Sequence, residues 1–227
     1  VGSTGSGKSV LASLLSRLEG EGICVGKPLP TNQVRLIKVT DEVIDAFGPA
    51  TEVLPGAIGE IVVCGPTTTE AYFARASATR LAKIVHGGRV WHRMGDVGHF
   101  DAQGRLWYAG RKAHRVETGN GVFYPEMVEG VFNVHPKVRR TALVGVTVHG
   151  KALPGVCVEL TQDRSKAEWK RIRFELRDLS LRVEATNVIR HYWRHPGFPV
   201  DIRHNAKIDR IALARWASKR ADKADLG

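Results

Sequence analysis

The spacing of apolar residues changes twice along this 227-residue chain. Residues 8–18 carry apolar side chains four positions apart, which predicts an amphipathic helix ended by Gly20 and Gly22. Four short runs rich in branched residues follow, separated by glycine, proline, asparagine and aspartate: residues 33–39, 59–63, 87–92 and 106–108. This texture predicts a small antiparallel sheet or barrel.

A hairpin is predicted at residues 101–104, Asp-Ala-Gln-Gly, which separate two alternating runs. Gly104 is expected to take the positive φ that such a turn needs, because glycine has no Cβ to clash. The flanking runs, residues 97–100 and 106–108, would then pair as antiparallel neighbours.

Beyond Arg111 the pattern becomes mixed. We expect the following elements in order: a helix over residues 125–133, strands over 141–148 and 155–160, a long helix, a loop that carries Lys207, and a last helix over 208–221. In the long helix one apolar stripe has members three or four apart: Trp169, Ile172, Leu176, Leu179 and Val183. Four arginines lie largely off this stripe and are expected to form a solvated face: Arg171, Arg173, Arg177 and Arg182. The predicted fold class is α/β (α+β), a small antiparallel β-barrel-like subdomain followed by a compact mixed α/β C-terminal domain.

Composition indicates a soluble globular protein with 43% apolar residues and a net charge of +11. The charge is uneven, because residues 1–110 hold 11 Lys/Arg against 10 Asp/Glu, whereas residues 111–227 hold 23 against 13. A basic second half could bind a polyanion, a nucleotide or an acidic partner, but a solvated basic surface is commoner. Aromatic residues do not alternate with the basic ones as in a nucleic-acid stacking platform, so nucleic acid is not expected as a partner.

The cysteines Cys24, Cys64 and Cys157 are widely spaced and odd in number, which favours reduced, mostly buried thiols and offers no metal-ligand spacing. No run reaches the roughly 18 apolar residues of a membrane helix, and the first nine residues lack the layout of a signal peptide. We therefore expect a cytoplasmic protein with no transmembrane segment and no metal-ligating residues.

Residues 2–9, Gly-Ser-Thr-Gly-Ser-Gly-Lys-Ser, fit the phosphate-loop pattern G-x-x-x-x-G-K-[ST] at every position. That loop normally follows a buried strand, and only Val1 precedes it here. An aspartate that would position magnesium is also expected at the end of a second strand, yet residues 59–64 run into Gly65 and Pro66. A glycine- and serine-rich entry to a helix is the simpler interpretation.

Several segments resemble, in the correct order, the adenylate-forming superfamily of acyl-CoA synthetases, luciferases and peptide-synthetase adenylation domains. Residues 1–5 are similar to its Tyr-Gly-x-Thr-Glu motif, and residues 59–65 to its Gly-Glu-[Leu/Ile] strand. Residues 91–96, Trp-His-Arg-Met-Gly-Asp, with residues 108–111, Tyr-Ala-Gly-Arg, resemble its Trp-Tyr-x-Thr-Gly-Asp and Gly-Arg motifs. Residues 206–210, Ala-Lys-Ile-Asp-Arg, are similar to its terminal Gly-Lys-Ile-Asp-Arg.

Further matches narrow the resemblance. Pro125 and Glu129 fit the Pro-x-Glu-Ile-Glu helix of the superfamily. Residues 65–69, 110–118 and 203–207 look most like the olefin β-lactone synthetases of bacterial long-chain hydrocarbon synthesis. The resemblance covers the C-terminal part of a family member more than twice as long as this chain.

The resemblance implies roles for four residues. Lys207 would be catalytic, placing positive charge on the substrate carboxylate and the phosphate-ester oxygen. Asp96 would accept hydrogen bonds from both ribose hydroxyls, Arg111 would contact ribose or phosphate, and Thr4 would lie against the phosphates. ATP and Mg²⁺ are the implied cofactors. The structural alternatives are an exposed loop lysine, a turn-capping aspartate and a strand-end arginine.

The resemblance also divides the chain into residues 1–111, the end of the large adenylation domain, and residues 112–227, a mobile C-terminal domain. Lys112 and Ala113 occupy its hinge, where rotation would swing Lys207 into and out of the site. The break in charge falls at the same place.

Departures from the family pattern are also informative. Gly5 stands where the family has the glutamate that helps to hold magnesium, Met94 replaces a threonine, and Val122 falls where an arginine is usual. Residues 205–206, Asn-Ala, replace the common Ser-Gly. The front of the family fold is absent from this sequence, so the isolated chain is expected to turn over weakly or not at all.

The implied function is ATP-dependent activation of a carboxylate, a long-chain β-hydroxy acid, as acyl-AMP, followed by β-lactone formation. The implied partners are a small-molecule fatty carboxylate and other hydrocarbon-biosynthesis enzymes. A non-catalytic nucleotide-binding remnant and an acyl-CoA ligase fragment are the alternatives, and nucleic-acid binding by the basic half ranks last.

Overall fold

The computed structural model describes residues 19–201 and 207–224. The predicted helix over residues 8–18, the phosphate-loop match and Thr4 lie outside the described residues, as do residues 202–206. The described chain forms two compact units, one of which spans Gly22–Ala113 and the other of which contains residues 19–21 and the chain from His114 onward. No helix in the described ranges is long and apolar enough to cross a membrane.

The first unit is built on one antiparallel sheet and one short helix. Its elements are β1 (Ile23–Gly26), β2 (Gln33–Ile37), β3 (Gly59–Cys64), α1 (Ala76–Ala82), β4 (Lys83–His86), β5 (Arg89–Phe100) and β6 (Leu106–Arg111). The strand order is β1-β6-β5-β3-β2, and β4 pairs with β5. Among the described residues β1 and β2 do not pair with each other, so the predicted antiparallel sheet is confirmed in an open rather than a closed form.

The hairpin between β5 and β6 confirms the sequence prediction. Gly104 has a φ of +71°. Asp101 organises the turn, because its carboxylate accepts hydrogen bonds from the Arg105 backbone N–H at 2.8 Å and from the Trp107 indole Nε1 at 2.8 Å. Desolvation opposes ionisation of Asp101, but the hydrogen bonds from Trp107 and Arg105 outweigh it and lower the pKa of the carboxyl.

The second unit is a three-stranded sheet with helices and two small hairpins. Its elements are β7 (Val116–Thr118), β8 (Gly121–Phe123), α2 (Pro125–Asn133), β9 (Val138–Val148), β10 (Lys151–Leu160), α3 (Lys166–Leu181), β11 (His191–Arg194), β12 (Val200–Asp201), β13 (Lys207–Ile208) and α4 (Arg210–Ala224). A 3-10 helix, Lys112–His114, precedes β7. β10 lies between β9, which is antiparallel to it, and β11, which is parallel to it.

Both faces of the three-stranded sheet are covered. Because side chains alternate along a strand, Leu143 of β9 packs with α2 and α3, whereas Val144 packs with α4. The first core contains Val128 and Phe132 of α2, and Ile172 and Leu176 of α3, together with Tyr192 of β11. The second contains Trp193 of β11 and Leu213, Ala217 and Ala221 of α4. The mixed α/β class of this unit is confirmed.

Two predicted elements differ in detail. The last helix begins at Arg210 rather than at residue 208, because Lys207 and Ile208 pair with β12 and Asp209 precedes the first turn. The Asp209 carboxylate accepts the Ala212 backbone N–H at 2.9 Å, which satisfies a donor at the helix start.

The prediction of a solvated arginine face is wrong for Arg177. Its Nη1 donates to the Ile189 carbonyl at 2.7 Å and to the Asn187 carbonyl at 3.0 Å, so the side chain ties α3 to the segment before β11. Sequence periodicity placed it off the apolar stripe, but a long guanidinium stem can still reach backbone oxygens. Arg171, Arg173 and Arg182 are exposed, as predicted.

Candidate nucleotide site

Asp96 and Arg111 are brought together by the pairing of β5 with β6. They are direct partners in the antiparallel register, although Ala109 is an extra residue on β6 that shifts the register between Val97 and Gly98. Arg111 Nε lies 3.1 Å from Asp96 Oδ1, and Arg111 Nη1 donates to the Met94 carbonyl at 3.3 Å. The sequence predicted both residues as ligands, and the structure makes them neighbours.

The Asp96 carboxylate is unusually placed for a charged group. Its Oδ1 atom is buried and accepts no hydrogen bond from the described residues, since Arg111 is close but not aligned for one. Desolvation raises the pKa of Asp96, and the positive charge of Arg111 opposes this only in part. A buried acceptor without a donor costs free energy, so this oxygen is suited to receive a donor from a ligand.

A sugar diol would supply such donors. A carboxylate has paired acceptor oxygens, and two neighbouring hydroxyls can donate to them together. The half-exposed Arg111 guanidinium beside it would offset the charge of a nearby phosphate. This part of the site can therefore hold a ribose or another anionic polyol.

A second charged cluster lies beneath the same sheet and was missed as a unit by sequence reasoning. Glu60 is almost fully buried, and Arg93 Nη2 donates to its Oε2 at 2.7 Å while Lys112 Nζ donates to the same oxygen at 3.2 Å. Lys112 Nζ also donates to the Thr40 carbonyl at 2.9 Å, and Arg93 Nη1 to the Glu42 carbonyl at 2.7 Å.

This cluster fixes the residue predicted as one half of the hinge. The Lys112 side chain is held within the Gly22–Ala113 unit through Glu60. The available sequence signal was a glutamate inside an apolar strand, because a buried carboxylate requires a partner.

Lys207 lies in the other unit. It is exposed in β13 and is the direct antiparallel partner of Asp201 in β12. Residues 202–206, which precede it, lie outside the described chain, so the predicted Arg203 to Ala206 part of the motif has no structural description.

The chain after Lys207 is firmly anchored. Arg210 binds the buried carboxylate of Glu129 in α2, with Nη1 2.5 Å from Oε1 and Nη2 3.1 Å from Oε2. Glu129 Oε1 also accepts the Leu143 backbone N–H of β9 at 2.8 Å. These bonds fix the end of β13 to both α2 and the sheet, so the position of Lys207 is set from its C-terminal side.

The described residues contain no group of three or more His, Cys, Asp or Glu side chains able to hold a metal ion. All three cysteines are free, with Cys64 and Cys157 buried and Cys24 half-buried. Burial raises the pKa of the Cys157 thiol to about 12, so this thiol stays protonated at neutral pH.

Comparison with known proteins agrees with the geometry. No protein-family model matches the chain. It is 48% identical over 218 residues to an olefin beta-lactone synthetase of Xanthomonas campestris pv. campestris, covering 94% of this chain and 39% of that protein. It is 47% identical over 209 residues to an olefin beta-lactone synthetase of Stenotrophomonas maltophilia, covering 90% of this chain and 38% of that protein.

A solved structure supports the same assignment. An amide bond synthetase from Marinactinospora thermotolerans matches with a TM-score of 0.66 and 26% identity, over 85% of this chain and 35% of that chain. The chain therefore spans less than two fifths of the length of the curated relatives it matches, 39% and 38%. It belongs to the adenylate-forming enzyme superfamily, corresponds to the C-terminal part of such an enzyme, and is similar in sequence to olefin beta-lactone synthetases.

Proposed function

We propose that this chain is part of an ATP-dependent ligase that activates a carboxylate as an acyl-adenylate. The observation that carries the proposal is the buried Asp96 Oδ1, an acceptor without a donor beside the Arg111 guanidinium. A ribose diol supplies the missing donors, and the removal of an unsatisfied buried acceptor favours the bound state.

In this proposal Arg111 and Lys207 act on charge. Arg111, whose side chain is half exposed, faces the ribose or a phosphate oxygen. Lys207, exposed in β13, contacts the substrate carboxylate and the phosphate-ester oxygen. Two anions must approach each other in this step, so a cation placed between them lowers the barrier. Thr4 lies against the phosphates in the same proposal.

The chemistry balances in two steps. A carboxylate oxygen attacks the α-phosphorus of ATP, the bond to pyrophosphate breaks, and acyl-AMP forms. For a β-hydroxy acid the hydroxyl oxygen then attacks the acyl carbon, loses its proton and expels AMP, which closes a β-lactone. We propose a long-chain β-hydroxy carboxylate as the substrate because of the similarity to olefin beta-lactone synthetases, and other enzymes of hydrocarbon biosynthesis as partners.

Mg²⁺ would accompany ATP by neutralising phosphate charge. The described residues do not form a cluster that fits it, and Gly5 stands where the family has a glutamate. No step is therefore assigned to the ion in this chain.

The domain division is part of the proposal. Residues 112–227 would move as a body that carries Lys207. Glu60 holds Lys112 in the first unit, so we place the pivot at Ala113, one residue beyond the anchored side chain.

The proposal is tested by pyrophosphate release from the full-length protein with ATP and a β-hydroxy fatty acid. Lys207→Ala is expected to lower the rate by about 100-fold or more, the scale of a lost charge-stabilising donor. Lys219→Ala is the matched control, because Lys219 is also exposed and lies on α4. Equal rates for the wild type and Lys207→Ala would exclude the assigned role.

Nucleotide binding is tested separately by titrating AMP into this chain in a calorimeter. Asp96→Asn is expected to weaken binding by about tenfold, the equivalent of about 1.4 kcal/mol. Asp45→Asn is the control, because its side chain is 85% exposed and only distantly paired with Arg80.

Two alternatives give different results in these assays. A nucleotide-binding remnant, which the glycine at position 5 favours, binds AMP but releases no pyrophosphate in any full-length context. An acyl-CoA ligase forms a thioester only when coenzyme A is added, whereas the proposed enzyme forms a lactone without it. Mass spectrometry of the product distinguishes the last two.

A further inference from the structure

A concave pocket lies in the second unit, between α3, β11 and α4. Its volume is about 600 Å³, within the range of small-ligand sites. None of the residues assigned to the proposed nucleotide site lines it. Its walls combine the aromatic side chains of two helices with those of the edge strand β11.

The charge of the pocket has one sign. Five arginines line it: Arg173, Arg177, Arg190, Arg194 and Arg220. No aspartate or glutamate is found among the described residues that line it. Like charges confined to a pocket of this size repel one another, so an anion bound there would remove an unfavourable interaction.

Three of the arginines are held in place by the protein. Arg177 is bonded to the carbonyls before β11, and Arg220 lies 3.8 Å over the Trp216 ring. Arg194 Nη1 donates to the Arg164 carbonyl and lies 3.4 Å from Asp163, a side chain that is almost fully exposed.

The other two arginines are available to a ligand. Arg173 and Arg190 are exposed, and within residues 19–201 and 207–224 neither has an ion pair or a hydrogen bond from its side chain. A guanidinium offers several N–H donors in a plane, which matches the oxygens of a phosphate group.

Flat apolar surface lies beside these charges. Trp169 and Trp216 are partly buried, and Phe174 is 67% exposed at the pocket. The sequence showed no alternation of aromatic and basic residues, and the fold brings them together from separate elements. Aromatic faces next to arginines are the surfaces on which planar ligand rings stack.

We propose that this pocket binds a compact polyanion that carries two or more phosphate groups. The single sign of its lining, the two available guanidinium groups and its volume support a ligand of nucleotide size. This site is separate from the proposed contact of Asp96 with ribose, and it can exist whether or not the chain takes part in acyl-adenylate formation.

The test uses inorganic tripolyphosphate titrated into the full chain, with guanosine triphosphate as a second probe that adds a planar ring. The double variant Arg173→Ala with Arg190→Ala is expected to weaken tripolyphosphate binding by about tenfold or more. The matched control, Arg171→Ala with Arg215→Ala, removes the same charge from exposed positions outside the pocket and is expected to change binding less than about twofold.

Other arms separate the remaining sources of an effect. Asp96→Asn is expected to leave tripolyphosphate binding unchanged, which makes this result independent of the proposed nucleotide site. Guanosine triphosphate should bind at least as tightly as tripolyphosphate. Circular dichroism checks that each variant is folded, and Arg173→Gln with Arg190→Gln replaces the alanine pair if that pair unfolds.

Three outcomes would overturn the proposal. Absence of tripolyphosphate binding at millimolar concentration would exclude the site. Equal weakening in the pocket variant and its control would indicate diffuse surface charge. Tighter binding of a hexaglutamate peptide than of tripolyphosphate, with the same dependence on Arg173 and Arg190, would assign the pocket to an acidic polypeptide.

Discussion

Arg210 grips the carboxylate of Glu129 through both of its terminal nitrogens, at 2.5 and 3.1 Å, although the two residues are 81 positions apart in sequence. Both side chains are nearly buried, at 16% and 8% exposure. The pair joins α4 to α2 only three residues after Lys207. It is therefore a structural requirement for placing the proposed catalytic lysine.

Breaking this pair is expected to be costly. Arg210→Ala leaves the Glu129 carboxylate buried without its cation, and we expect a loss of about 3 kcal/mol in the free energy of unfolding. Urea denaturation followed by circular dichroism measures it. Arg182→Ala is the control, since Arg182 and its partner Asp178 are mostly exposed and should contribute less than about 1 kcal/mol. A similar small loss for both variants would contradict the assignment.

Stability should also depend on pH through Glu159. Desolvation opposes its ionisation, but the Phe198 backbone N–H and the charges of Arg140 and Arg139 outweigh it, so the pKa of Glu159 is lowered. A carboxyl with a lowered folded-state pKa stabilises the fold above its ordinary pKa, and this contribution is lost as the pH falls through the lowered value.

Glu159→Gln should therefore destabilise the protein at pH 7. The difference in unfolding free energy from the wild type should shrink as the pH falls below the ordinary glutamate range. Denaturation at a series of pH values measures this. A constant difference across that series would contradict the charge-based explanation.

The buried Glu60 should distinguish its two cations. Arg93→Ala removes two hydrogen bonds to Glu60 together with bonds to three backbone carbonyls, and we expect a loss of about 3–5 kcal/mol. Lys112→Ala leaves Arg93 in place and should cost less, about 1–2 kcal/mol.

Unfolding of the first unit measures both variants. Arg80→Ala is the control, because Arg80 is 70% exposed and only 3.7 Å from the exposed Asp45. A greater loss for Lys112→Ala than for Arg93→Ala would reverse the assigned order.

Asp96 is expected to trade stability for binding. Its pKa is raised by desolvation, so the fold is favoured by protonation and this contribution is lost as the pH rises through the raised value. Asp96→Asn should therefore raise the unfolding free energy slightly at neutral pH, by less than about 1 kcal/mol, because the Arg111 partner is half exposed.

The gain should disappear at low pH, where the wild-type carboxyl is also neutral. Thermal unfolding at acidic and neutral pH, together with AMP titration, tests both parts. A destabilised Asp96→Asn protein at neutral pH would show that the ion pair with Arg111 outweighs desolvation.

Gly98 is required for the close pairing of β5 with β6. A Cβ at this position would lie 2.2 Å from the Trp107 carbonyl oxygen, a backbone atom that cannot move freely. We expect Gly98→Ala to cost about 1–3 kcal/mol and to weaken AMP binding, since the same pairing sets Asp96 opposite Arg111. Gly48→Ala is the matched control, because a Cβ there meets no atom within 4 Å. Equal effects of the two substitutions would contradict this explanation.

Some of the fold could be predicted because its information is local. The helix Pro125–Asn133 was predicted with its correct bounds, and the Asp101–Gly104 turn was predicted with its positive φ. Apolar periodicity and turn chemistry are properties of neighbouring residues, so a single sequence displays them. The choice of Asp96, Arg111 and Lys207 came from motif resemblance, and their ligand contacts stay predictions.

Tertiary structure decided everything that depended on pairing between distant segments. The sequence by itself determined the turn, the helices, the apolar strand faces and the uneven charge, because these follow from spacing and composition. Only the fold joined Lys112 to Glu60, made Arg177 a structural side chain, and collected arginines and tryptophans from α3, β11 and α4 around one pocket. Periodicity tells which side of an element is buried, whereas the partner of that side is set by packing across the whole unit.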